Sequence, residues 1–418
     1  MKSYKIVGIK EFTLFLLVFY WSLVPLSKSV LFDQFGGVFR LRELFFLLVA
    51  IIPIVGFIIK GKFKFYLTES DRVFSWLLLL VINLFISVFF VQFERVEYFY
   101  AAATTLVNMF SLILVVLYFS RIRNFEYTLL ILSRWLCIIS VIYVFISVID
   151  FGVRGDFGSS AEELGVGRAK GPLYYVSTGG YVLTIAFVFI LNFYKKRRAP
   201  ICLYDKMFLA LCFVGIAGTG SRVAILSVII VFIFSMDFRK LKTQIGLLVV
   251  LLVVFYIINN LVSNSVISLD RFQRLLAEGR TYTYFTAISA WLEDWTTIFF
   301  GNGFYSVWQW RDLTIEDIVD YREDVMFSIY GFTLYHPHSD FFQLLAHGGL
   351  MSISLYFIFW FQALLKVFKS SGLHILLAFS CVFIMGLFET YYFFRFELSF
   401  ISLLYMSFFI DNTKEELS

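Results

Sequence analysis

The chain has 418 residues, 60% of them hydrophobic, 21% aromatic with 54 Phe, and only 16% charged, a composition that excludes an ordinary soluble domain and leaves a polytopic membrane protein. The net charge of +5 comes without a basic stripe, which excludes a nucleic-acid-binding surface. Four scattered cysteines, Cys137, Cys202, Cys212 and Cys381, exclude a disulfide framework and a zinc site.

The chain opens "MKSYKIVGIKEFTLFLLVFYWSLVPLS", basic and then apolar like a signal peptide. No small-residue cleavage site follows, so it reads as a retained first span. A bilayer core requires about 20 apolar residues per helix. Windows of that kind fall at 11–27, 43–59, 73–92, 97–119, 127–149, 174–194, 206–220, 223–237, 245–263, 341–365, 373–391 and 396–411. The expected fold is therefore all-α, with about twelve spans in a single polytopic domain, 1–418.

Lysine and arginine in the short loops orient the spans. With the N-terminus inside, "KGKFKF" (60–65), "SRIRN" (120–124), "YKKRRAP" (194–200), "DFRKLK" (237–242) and "KVFK" (366–369) all become cytoplasmic, as do both termini. "RLR" (40–42) is the small exception. The two long connections, 150–173 and 264–340, then lie on the opposite face. Within the second, "RFQRLLAEGRTYTYFTAISAWLEDW" carries apolar residues at helical intervals and should cap the bundle. The acidic "RDLTIEDIVDYREDVMF" reads as a solvated helix face.

Ionisable groups at span ends are the candidates for chemistry. Arg222 follows Gly218, Thr219, Gly220 and Ser221 at a turn between two spans, where a helix start and a guanidinium both favour an anion; a snorkelling arginine would look the same. Arg168, in "GVGRAKGPLYYVSTGGYV", and Arg280, in "AEGRTYTYF", fall on that side too. Singly each reads as a surface arginine, whereas together with Arg222 they could hold a diphosphate without metal.

Three of the four histidines sit in "TLYHPHSDFFQLLAHGGLM". His336-Pro337-His338 stands where the long loop meets a span, and an imidazole there could take a proton from a sugar hydroxyl or could simply bond a headgroup or loop carbonyl. The pair is too close for a helical metal site and has no evident third ligand. His347, inside the span, is expected to bond another helix, and His374 has no assigned role.

In order along 165–365, "GRAKGPLYYVSTGGYVLTIA", "GTGSRVAIL", "GRTYTYFTAISAW", "FFGNGFYSVW" and "HPHSDFFQLLAHGGLM" resemble the motifs of the O-antigen ligase and O-antigen polymerase family. The resemblance implies a bacterial inner-membrane glycosyltransferase similar in fold to the C-type lipid-linked sugar transferases, with its site on the periplasmic face and no metal or other cofactor. It implies an undecaprenyl-diphosphate-linked glycan as donor. The acceptor is a second lipid-linked repeat unit for a polymerase, the expected activity, or the lipid A core for a ligase. It implies His338 as the base and Arg222 and Arg280 on the diphosphate with Arg168 beside them; His336 is then the reserve base or the residue that positions the acceptor. A chain-length regulator is the partner expected of a polymerase. The chain departs from the family at Ser339, where Asn is usual, and at "YYVSTGG", where Pro-Asn is usual. A flippase, the different class to weigh, would line its spans with buried charges; here Arg134 is the main one.

Overall fold

The computed structural model describes residues 9–23, 51, 68–89, 96–122, 124–154, 176–197, 199–218, 222–235, 284, 287–288, 291–292, 294–304, 339–371, 373–387 and 396–411. All regular structure among them is helical: α1 (Ile9–Leu23), α2 (Glu69–Val88), α3 (Val96–Phe119), α4 (Phe125–Arg154), α5 (Val176–Lys196), α6 (Leu203–Gly218), α7 (Arg222–Ser235), α8 (Trp295–Phe300), α9 (Asp340–Ser371), α10 (Leu373–Gly386) and α11 (Phe396–Asp411). Ten of the twelve apolar windows fall on these helices, while 245–263, and 43–59 apart from residue 51, lie outside the described residues. Among the described residues four helical stretches, Glu69–Val88, Ala102–Phe119, Phe125–Ile146 and Asp340–Ser370, are long and apolar enough to cross a membrane.

The reason these helices suit a membrane is visible on α2. Its inward face buries Val73, Phe74, Leu77, Leu80, Val81 and Leu84, and its outward face presents Leu79, Ile82, Phe85 and Ile86, so both faces are apolar. The middle of α5 goes further, with every residue from Gly180 to Leu191 buried, as expected of a helix enclosed by others. Phenylalanine fills the space between them edge-on: the Phe189 ring meets Tyr405, Phe408 and Phe409 at 5.2, 5.3 and 5.8 Å. Where α6 crosses α4, Gly215 and Gly218 leave no room for a side chain, since a β-carbon would come within 2.2 Å of Ser140 Oγ and 2.5 Å of Val144 Cγ2 respectively.

One end of the bundle is charged. Thr68 and Asp71 form a reciprocal cap at the start of α2, and Asp71 also accepts from Arg121 at 2.8 Å. Ser70 donates its amide and hydroxyl to Asp411 at 2.9 and 2.6 Å, and Lys366 pairs with Glu69 at 2.8 Å. Arg197 pairs with Glu126 at 2.7 Å. Arg134 forks onto the fully buried Asp205 with two 2.7 Å bonds, and the Tyr194 hydroxyl donates to the same carboxylate. The buried Asp205 thus has Arg134 as its counter-ion. Arg121, Arg197 and Lys366, from the basic stretches 120–124, 194–200 and 366–369, therefore gather at one end.

Because α6 runs from Asp205 at that end to Gly218, α7 begins with Arg222 at the opposite end. The starts of α9 and the ends of α2 and α10 lie there as well, and the Gly386 backbone closely approaches the Asp340 carboxylate.

Candidate active site at the glycine junction

The site end is built around a helix that is interrupted. α9 has non-helical dihedrals at Gly349, φ 61 and ψ −162, a region open in practice to glycine alone. The apolar window 341–365 falls on α9 and carries no sign of this break. Below it, 350–371 rises roughly 33 Å at 1.5 Å per residue, enough to cross a bilayer core. Above it, 340–348 is a separate short helix.

The "FFGNGF" turn docks into this break. Asp294 caps α8 by accepting from the Thr297 amide at 2.7 Å, while the Thr297 hydroxyl accepts from the Asp294 amide at 2.9 Å. The Trp291 indole donates to the Ile298 carbonyl at 2.9 Å, tying the preceding stretch to the same helix. α8 ends at Gly301, φ 73, whose β-carbon would fall 2.3 Å from the Gly348 nitrogen. Conversely, a β-carbon on Gly349 would fall 2.4 Å from the Phe299 carbonyl carbon. The Asn302 amide donates to the Ala346 carbonyl at 2.7 Å, and the Phe304 amide to Ser87 Oγ at 3.3 Å. The His347 ring packs edge-on against Phe304 at 5.3 Å.

α2 supports the break from behind. Asn83 donates to Ser352 Oγ at 2.8 Å and to the Gly348 carbonyl at 3.3 Å, an amide placed in mid-span where an unpaired one would be costly. Asn83 interrupts the apolar run "WLLLLVINLFISV", and this polar amide is the signal that sequence reasoning passed over.

The start of α9 carries the polar residues. Ser339 is buried and its hydroxyl accepts from the Phe342 amide at 3.3 Å, so it caps the helix. Serine, like asparagine, is a favoured cap. Asp340, Gln343 and His347 follow at three- and four-residue spacing on one face, all at least 99% buried. The Tyr356 hydroxyl lies 3.5 Å from Asp340 Oδ2. The Tyr284 ring stacks on Phe342 at 4.3 Å, bringing a residue of the long connection to the start of α9. An open apolar groove of about 330 Å³ lies beneath, lined by Phe299, Phe300, Leu350, Met351 and Ser354.

Of the residues expected to act, His336, His338, Arg168 and Arg280 lie outside the described residues, and Arg222 is described as the first residue of α7 through its backbone. Among the described residues no cluster of three His, Cys, Asp or Glu could hold a metal ion. Asp340, Gln343, Tyr356, Asn83 and Ser352 are site-end residues that the sequence reading did not single out.

An all-helical membrane protein with a glycine-built junction at one end is the class that these features define. Residues 207–357 match the model of a family described as O-antigen ligase, the family that the motifs resemble. Over this segment the chain is similar to the O-antigen ligase family. Comparison with curated proteins gives no match.

Proposed function

We propose that the chain is a polysaccharide polymerase of the bacterial inner membrane, working at the end of the bundle that carries the glycine junction, on the periplasmic face. It transfers a growing glycan from undecaprenyl diphosphate to the sugar of a lipid-linked repeat unit. The observation that carries the reading is the family match over 207–357, a stretch that contains Arg222, Arg280, His336 and His338. The gathering of basic residues at the other end supports this orientation, with both termini cytoplasmic. About twelve spans, a C-type architecture and a cap formed by 264–340 complete the proposed arrangement.

The acceptor hydroxyl oxygen forms the new bond to the donor's anomeric carbon as the bond to the diphosphate breaks. His338 takes the hydroxyl proton, His336 positions the acceptor, and Arg222, Arg280 and Arg168 hold the departing diphosphate. Covalent connectivity supports the grouping: His338 directly precedes the cap Ser339, and Arg280 is four residues from Tyr284, which stacks on Phe342. The apolar groove between α8 and α9 suits the donor's polyprenyl tail. A chain-length regulator is the protein partner of this reading, and nucleic acid has no place in it.

The second reading is an O-antigen ligase acting on the lipid A core, favoured by the description of the matching family. A lipopolysaccharide gel profile from cells lacking the gene separates the two. Core bearing a single repeat unit, restored to a ladder by wild type and not by His338→Ala, identifies the polymerase. Naked core with polymer left on its lipid carrier identifies the ligase, and an unchanged ladder overturns both.

A further inference from the structure

Gln343 is 1% exposed, and neither its amide oxygen nor its amide nitrogen has a hydrogen-bond partner among the described residues. Buried side-chain amides are nearly always satisfied, because an unsatisfied one forfeits its hydration for nothing. An apolar side chain of similar size would serve this helix better. The position is also specific: Gln343 lies one turn inside the cap at Ser339, between Asp340 and His347 on the same buried face.

We infer that the Gln343 amide is a substrate contact of the transferase, bonding a hydroxyl of the acceptor sugar. A carboxamide offers donors and an acceptor side by side, the complement of a sugar hydroxyl, which both donates and accepts. An anionic diphosphate would use only the donor half, and a polyprenyl chain would use neither. Among the buried polar groups at this end, Asn83 and Ser352 satisfy one another, and Ser339 is occupied as a cap. The inference rests on the proposed transfer reaction, and it places the acceptor along the helix that His338 leads into.

The test uses the full chain in lipid nanodiscs, with the lipid-linked repeat unit extracted from the producing strain as acceptor. Gln343→Leu and Gln343→Glu are compared with wild type for melting temperature, for acceptor and donor KM, and for the melting shift that acceptor produces. The expected result is a Gln343→Leu protein at least as heat-stable as wild type, with acceptor KM raised roughly tenfold or more and donor KM unchanged. Gln343→Glu keeps an acceptor oxygen but loses the donor, so its acceptor KM falls between the two. Unchanged acceptor KM in Gln343→Leu overturns the inference. If wild type transfers nothing, yet acceptor raises its melting temperature and Gln343→Leu abolishes that rise, the contact stands and the proposed reaction fails.

Discussion

Gly301 stands against Gly349 so closely that a β-carbon on Gly349 would sit 2.7 Å from the Gly301 nitrogen, and both residues hold positive φ. Two segments separated by dozens of residues thus meet backbone to backbone, and the long connection is pinned to the break in α9. Replacing Gly349 with Ala should cost about 3 kcal/mol or more, because left-handed backbone and collision with fixed main chain add. Leu350→Ala, on a partly exposed neighbour, should cost far less. Melting curves and transfer assays on the two variants check this, and equal melting temperatures would contradict the interlock.

The bond between Asn83 and Ser352 should be measurable as a coupling. Single replacement of either by Ala is expected to destabilise by about 1 kcal/mol, and the double variant by less than the sum of the two. Strict additivity in a double-mutant cycle would show that Asn83 does not brace the helix break.

How much of this was legible beforehand differs by element. Hydrophobic length placed ten helices, because the bilayer imposes one requirement on every span. The break at Gly349 escaped, because an apolar run carries no record of φ; only the doublet Gly348-Gly349 hinted at it. The motif segments were recognised by their order along the chain, but the buried row of Asp340, Gln343 and His347 depends on which face of α9 turns inward. That is settled by packing against α2 and the 301–304 turn, not by local sequence. The cap role of Ser339 was within reach, since Ser before an apolar helix is a recognised start signal.

Acid should act on the junction through Asp294. The Thr296 hydroxyl and the Thr297 amide hold its carboxyl below the usual aspartate range. A depressed folded value means that the cap is complete above the ordinary aspartate pKa and lost as pH falls through the lower one. The hydrogen-exchange protection factor of the Gly301 amide, bonded to the Thr297 carbonyl at 2.8 Å, should therefore be constant from neutral to mildly acidic pH and fall only below about pH 4. Asp294→Asn, which still caps, should protect Gly301 without that pH dependence, whereas Asp294→Ala should leave it unprotected at every pH.

Arg134 and Asp205 form a pair in which the partner left behind determines the damage. Asp205 is fully buried, so Arg134→Ala should destabilise by about 3–5 kcal/mol, and Arg134→Lys should recover only part because a single ammonium cannot fork onto both oxygens. Removing both groups together, as Arg134→Met with Asp205→Leu, should be milder than Arg134→Ala alone. Detergent melting of the three proteins decides it; the double variant melting lowest would refute the account.

The two ends of the bundle are fastened by different physics, and they will answer to different solvents. Dissolved salt shields partly exposed pairs such as Lys366 with Glu69 and Arg197 with Glu126, while it has no purchase on glycines wedged main chain against main chain. Concentrated electrolyte should therefore loosen the molecule from its charged end upward, leaving the opposite end as the last part to lose its shape.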